Sequence, residues 1–449
     1  MRGRFDAMGR GLGARAAGVG SLTVVLLAGC FPVAPLVDCE DRGGLYVAHH
    51  VCMPQAGPPV VLAGEPVALV AGDFDGRGAV DDLAVLLDPD VVQVFTSLDM
   101  AAPQATWSAA LLGDGREIEG LANVRYFDEG LHGEDLIAWT AATALTAMTT
   151  GSVLGLRNGG DVFAGQTAVA VPLVAAVDGE MRPCPLPNSV VGLRGPGAPY
   201  ADALALACAF PEGTEEDLVD VVVIHNDPAT PLASQAQVGV AGSLVDVHAA
   251  VAAAFADGLP RLIVAHRPPN DDHDQLAILT VEGVEVSAIE VAPRQGFIDQ
   301  IATADLDADG DLDIVTLHSD ERGLSIVTQE GPLKFTEPLF YSPGAIVTRV
   351  VAGEFTGDDG VDLAVAHVVE NSRRSAITMF VRGPDAAPGT IDYSSAVVGE
   401  VDGDIVDLVA LDFDGDERTD LAAAVVDGTV GTVSIYLHRS PGDVPGSGE

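Results

Sequence analysis

The chain has 449 residues and carries 66 acidic against 22 basic side chains, a formal net charge of −44 at pH 7. That balance excludes nucleic acid and anionic lipid headgroups as electrostatic partners. Apolar residues make up 48% of the chain, enough for several buried sheets to share a core.

Arg2, Arg4, Arg10 and Arg15 precede a short apolar segment that ends in Leu26-Leu27-Ala28-Gly29-Cys30. A basic start, a short apolar run and small residues make residues 1–29 a secretory signal; a membrane-spanning helix needs about 20 apolar residues. Leu27-Ala28-Gly29-Cys30 resembles a lipobox, a cleavage site whose cysteine is then acylated. The resemblance implies a mature chain that begins at Cys30 and is held to a membrane by a lipid anchor of two or three acyl chains. Phe31, where an Asp would signal inner-membrane retention, implies the outer membrane and an extracytoplasmic place in the cell envelope. An ordinary signal peptide followed by a chance cysteine is the alternative.

Residues 30–60 hold Pro32, Pro35, Pro54, Pro58 and Pro59 and show little periodicity, so they read as a tether. Cys39, Cys52, Cys184 and Cys208 remain once Cys30 is used, and an even number in an exported chain points to disulfides. Local pairing, Cys39–Cys52 and Cys184–Cys208, is the simplest of three connectivities. Zinc-type CxxC spacing is absent.

From residue 61 to 440 one pattern recurs. Asp73-Phe74-Asp75-Gly76-Arg77 opens its first copy, which is weak because Arg77 replaces an acid and one residue is inserted before Asp81 and Asp82. Three degenerate copies without the acids follow, leading into Asp135–Trp139, Asp202–Leu206 and Arg261–Ala265. The fullest copy is Asp305, Asp307, Asp309, Asp311 and Asp313, with Gly310 at position 6. Glu354, Thr356, Asp358 and Asp362 repeat it, as do Asp412, Asp414, Asp416 and Asp420. Alternate oxygens can turn to one point, and Gly permits the tight bend; calcium takes six to eight such ligands. The carbonyl oxygens of Asp311, Gly360 and Arg418 would add a position-7 ligand. An EF-hand needs a bidentate Glu at position 12, where this chain has Thr316, Val365 or Ala423 inside apolar runs. An ordinary Asp/Gly turn without metal is the remaining alternative, and for Asp73, Asp75 and Asp81 it is the preferred one.

An apolar, strand-like run follows each loop, and a second follows that, for example Leu324–Thr328 and Val433–Leu437. The units recur at roughly 50–60 residues, giving seven of them. Short β-rich runs punctuated by Gly, Pro and Asp argue antiparallel sheet. One small sheet cannot bury both faces alone, whereas seven arranged radially can, in an all-β, seven-bladed β-propeller. Ala249–Phe255 has helix propensity but reads as strand from its place in the repeat. The Pro/Gly/Ser-rich tail, 441–449, reads as disordered.

The hydrophobic–Gly–Asp–Phe–Asp–Gly–Asp pattern, followed by Asp–Leu–Ala–Val, resembles the FG-GAP/VCBS repeat of integrin α chains and bacterial surface proteins. The resemblance implies a propeller with structural Ca2+ in loops between the inner strands of the acid-bearing blades. It also implies a binding, adhesion or scaffold role toward a protein or glycan partner.

Other chemistry is sparse. His266, His318 and His367 fall five residues after the ninth loop position in three successive units. Adjacent blades are too far apart to share one zinc. They read as solvent-facing strand ends, with a ligand-contacting role on that face as the alternative. Asn270-Asp271-Asp272-His273-Asp274 reads as a hydrated loop tip, and His49-His50 lies in the tether. No nucleophile elbow, His-Glu-x-x-His or phosphate loop occurs. An extracytoplasmic hydrolase or lyase with its site on the central channel is the alternative function.

Overall fold

The computed structural model describes residues 45–46 and 52–438, apart from single residues and short loop segments, of which the longest are 109–116, 159–168 and 210–217. The signal segment, Cys30, Cys39, the Cys52 side chain, His49-His50, Asn270–Asp272, Asp358 and the tail lie outside the described residues.

Seven antiparallel sheets form a seven-bladed β-propeller, and no α-helix occurs among the described residues. The inner strands are β1 (Glu65–Gly72), β2 (Ile118–Val124), β3 (Leu186–Leu193), β4 (Ala249–Ala254), β5 (Gln300–Ala304), β6 (Val347–Gly353) and β7 (Asp404–Leu411). Each contacts the next, and β7 contacts β1, so the ring closes. Radial repetition leaves only short, protected strand edges toward the centre. No described helix is long and apolar enough to cross a membrane.

The second strand of each blade is buried along its length, as at Leu83–Leu87 and Ile314–His318. Neighbouring blades cover both its faces, which is why these segments read as unbroken apolar runs and not as alternating ones. The core is therefore divided. Seven hydrophobic clusters lie one at each junction between adjacent blades. The degenerate units pack as fully as the acidic ones, and Ala249–Ala254 is indeed strand, pairing with Pro260–His266.

Closure uses both ends of the ring. The seventh sheet takes Asp404–Leu411, Asp420–Asp427 and Val430–Tyr436 from the end of the chain and Val60–Val61 from its start. Before that strand, Leu45–Tyr46 pairs with Cys52–Met53. Leu45 and Met53 are buried in the cluster between the sixth and seventh blades.

The third sheet has six strands where the repeat suggests four. Val174–Val177 joins its outer edge parallel to Gln237–Val240, and Glu180–Pro183 pairs beyond it. Cys184 and Cys208 form a disulfide there, with Cα atoms 5.6 Å apart. It ties the lead-in of β3 to the second strand of the same blade.

Candidate metal loops and the latches between blades

The acidic loops all join an inner strand to the second strand of its blade, so they share one face of the ring. Their organising residue is the ninth, a buried Asp. Asp313 Oδ2 accepts the N–H of Leu306 at 2.9 Å and Oδ1 that of Gln329 at 2.9 Å. Asp362 takes Phe355 at 3.1 Å and Arg382 at 2.9 Å. Asp420 takes Phe413 at 2.9 Å and His438 at 2.6 Å. One carboxylate thus fastens the loop entry to the end of the third strand. Charge-assisted bonds of this kind are the stronger class. Burial, set against these donors, pushes Asp313 and Asp420 up to about 7.

Asp135 in the second blade makes the same clamp, to Tyr126 at 3.0 Å and Asn158 at 2.8 Å, in a loop whose first and third positions are Arg125 and Phe127. The ninth Asp is therefore a structural element that does not depend on the others. This clamp is legible in the sequence only once Asp135, Asp313, Asp362 and Asp420 are aligned as a buried class.

Among the described residues the metal-type geometry appears in three loops. Asp305, Asp307 and Asp313 bring carboxylate oxygens within 4.8 Å of one another, as do Asp412, Asp414 and Asp420, and Asp73, Asp75 and Asp82. The first positions are pre-oriented by backbone donors. Asp305 accepts Asp309 N–H at 3.1 Å and Gly310 N–H at 3.0 Å, and Asp412 accepts Gly415 at 2.8 Å and Glu417 at 3.0 Å. Gly310 has φ +95°, the bend expected at position 6. Asp309 and Asp416 stand outside the triads; each accepts a backbone N–H two residues on, at 2.9 and 3.1 Å. In the loop of the sixth blade Thr356 Oγ1 donates to Asp362 Oδ2 at 2.9 Å.

The first loop needs a correction. The spacing puts Asp81 at its ninth position, but the inserted residue moves that role to Asp82, which accepts from Phe74 and Asp75 at 3.0 and 2.8 Å. Asp81 instead reaches the seventh blade, where its Oδ2 accepts Asp412 N–H at 2.8 Å and its own N–H donates to Asp412 O at 2.7 Å. Arg77 lies 3.2 Å from Asp75, and Arg125 lies 4.0 Å from Asp73. Two guanidinium groups thus offset part of the charge of this triad.

A second system links three of the loops to the following blade. The second loop residue, Phe74, Tyr126, Leu306, Phe355 or Phe413, is buried in the junction with the next blade. That next blade sends back the residue that ends its third strand. Asn158 Nδ2 donates to Phe74 O at 2.7 Å, Asn226 Nδ2 to Tyr126 O at 2.7 Å, and Arg382 Nη2 to Asp307 O at 3.0 Å. The sequence reading missed these latches, because Asn, Asn and Arg share no motif. His438 holds the equivalent place in the seventh blade.

The three strand-end histidines are buried, at 1%, 0% and 6% exposure for His266, His318 and His367. This corrects the solvent-facing reading and removes them from a ligand face. The junction between blades covers the strand ends as well as their middles. His318 contacts Thr316 and Ser325 through Nε2, at 2.9 and 3.1 Å, and Phe297 O through Nδ1 at 3.1 Å. His367 Nε2 meets Thr378 Oγ1 at 2.9 Å.

Around the channel, polar side chains serve the ring itself. Asp407 Oδ2 accepts Leu69 N–H at 2.8 Å, and Arg349 Nε donates to its Oδ1 at 3.2 Å. Gln300 exchanges two bonds, each of 2.9 Å, with the backbone of Val350.

The fold and loops define a seven-bladed propeller with carboxylate-lined turns on one face. No protein-family model matches the chain, and no curated protein does. Among solved structures it is similar to a protein of unknown function from Dyadobacter fermentans, at 13% identity and a TM-score of 0.43, covering 72% of this chain and 95% of that one.

Proposed function

We propose that this chain is an FG-GAP/VCBS-type propeller held to the cell envelope through a lipid on Cys30. In this reading the loops at 305, 354 and 412 hold structural Ca2+, and the ring serves as a binding or scaffold module for a protein or glycan. The convergence of Asp305, Asp307 and Asp313 on one point, with Asp305 already oriented by two backbone donors, carries the calcium reading. Unscreened carboxylates this close repel one another, and a divalent ion reverses that term. Asp407, Arg349 and Gln300 on the inner strands join neighbouring blades, which supports a scaffold. The free surface for a partner is then the face opposite the acidic loops.

The test is thermal unfolding of the full chain with calcium and with a chelator. A ion that binds only the folded form raises the midpoint by mass action. Calcium should raise it, and Asp305→Ala with Asp307→Ala should remove part of the gain. Identical curves in calcium and chelator would end the calcium reading.

A further inference from the structure

We propose that the strap Pro54–Leu62, which closes the seventh blade, is a replaceable strand. Beneath it lies an edge that accepts an extended segment of a partner polypeptide, apolar at alternate positions and basic at its ends. The site is on the outer rim of the ring and needs neither calcium nor the lipid.

The strap runs antiparallel to Val430–Tyr436. Gln55 stands opposite Tyr436, and Val60 and Val61 stand opposite Val433 and Thr432. From Gln55 to Val60 the strap takes five steps where its partner, from Tyr436 to Val433, takes three. Two residues are therefore in excess. They are taken up at Gly57-Pro58-Pro59, where neither proline has an N–H to give to a ladder. Ala56, Gly57, Pro58 and Pro59 are exposed, and a Cβ on Gly57 would meet nothing within 4 Å. Backbone bonds hold the strap on either side of this bow. Leu437 N–H reaches Pro54 O at 2.9 Å, Ala56 N–H reaches Ile435 O at 2.8 Å, and Leu62 N–H reaches Gly431 O at 2.9 Å.

A cavity of about 540 Å3 lies between the bow and the junction of blades seven and one. Met100, Phe413, Val433 and Ile435 line it, and no charged side chain does so among the described residues. Apolar walls without a filling forfeit their dispersion contacts. The junction between blades six and seven differs, since Leu45 and Met53 fill it.

The resident strap shows what this edge accepts: an extended, antiparallel main chain with an aliphatic side chain opposite Val433. A segment without the excess residues can pair along Gly431–Tyr436 and place a side chain in the cavity, the mode called β-augmentation. Val61 is 71% exposed, so selection falls on the inward positions alone. A net charge of −44 favours basic flanks on the incoming segment and disfavours a second copy of this chain. Buried Met53 before the strap and the inner strand Glu65–Gly72 after it keep the displaced strap attached.

The probe is a synthetic peptide in which residues 54–57 are joined directly to 60–62, with Ala56→Val, Gly57→Thr and a lysine added at each end. It is titrated into the full chain and into the full chain lacking Pro58 and Pro59, whose strap can pair without a bow. Saturable binding to wild type is expected, and about tenfold weaker binding to the deletion variant, whose strap competes with further ladder bonds. No binding, equal affinity for the two chains, or equal affinity of a scrambled peptide overturns the proposal. Hydrogen exchange on wild type needs no variant. Saturating peptide should speed exchange at the amides of Ala56 and Leu62 and leave the inner strands unchanged. Unaltered protection at Ala56 and Leu62 overturns the proposal. Peptide binding by a chain that ignores calcium would leave this site standing; a chain that responds to calcium and ignores the peptide would remove this site alone.

Discussion

Arg382 Nη2 lies 3.0 Å from the carbonyl oxygen of Asp307, so a side chain of the sixth blade holds the middle of the fifth blade's acidic loop. Its own backbone N–H is held by Asp362 in the sixth blade. One residue therefore belongs to two loops at once. Replacing it by Met keeps the apolar stem and removes the guanidinium. Arg382→Met should cost about 1.5–3 kcal/mol, the range for a hydrogen bond to a charged group, although Gly389 N–H still donates to the same carbonyl. Denaturant midpoints at constant slope would measure it, and an unchanged midpoint would show that the latch contributes nothing.

The clamp and the metal site should separate by mutation. Asp135→Asn in the second blade weakens one of two carboxylate contacts, to Tyr126 or Asn158, and should cost about 1–3 kcal/mol. It should leave the calcium response untouched. Asp313→Asn should cost a similar amount and also reduce the calcium-induced rise in midpoint, since Asp313 serves both systems.

Burial holds His318 and His367 below the ordinary histidine value. For His318, hydroxyls of Thr316 and Ser325 face Nε2, and the carbonyl of Phe297 accepts from Nδ1–H. On acidification the unfolded chain binds these protons first, near pH 6.5, so the fold loses stability as pH falls from there through the lower folded value. The buried Asp313 and Asp420 act in the opposite sense: their raised values mean stability present at low pH is lost as pH rises through about 7. Comparing wild type with His318→Gln isolates the histidine, since both proteins share those carboxylates. Between pH 7 and 5 wild type should lose stability more steeply, by up to about 1.4 kcal/mol per pH unit for one proton. Parallel pH profiles would reject the assignment.

The Cys184–Cys208 bridge spans a sequence separation of 24. On loop-entropy grounds, Cys184→Ala with Cys208→Ala should destabilise the protein by about 3 kcal/mol. The measured quantity is the unfolding free energy of the double variant under reducing and oxidising conditions. A reductant should lower the stability of wild type by more than it lowers that of the variant.

The repeat, the seven blades and the acidic loops were readable because periodic chemistry leaves periodic letters: acids at alternate positions, then Leu-Ala-Val runs buried on both faces. Even the degenerate third unit was placed correctly, since β3 leads into Ala203–Ala209 as the even spacing required. What stayed hidden depends on neighbours in space. One inserted residue exchanged Asp81 for Asp82, a shift that spacing alone cannot settle. The extra hairpin of the third sheet pairs in parallel across more than fifty intervening residues, beyond any local signal. Asn158, Asn226, Arg382 and His438 share a position but not a chemistry, so only coordinates reveal them as one class. The histidines looked exposed because their place at strand ends gave no hint that the next blade overlies them.

Because the seventh blade combines Val60–Val61 with Val430–Tyr436, the first and last strands of the ring meet in one sheet. During synthesis the barrier to completion is therefore temporal. Leu69, Leu83 and Val85 of the first blade share their cluster with Ala422, Ala424 and Val433, which are synthesised after the six blades that precede them. Until then that greasy flank has no cover, and any chain cut short before Val430 would carry it naked into whatever compartment receives it.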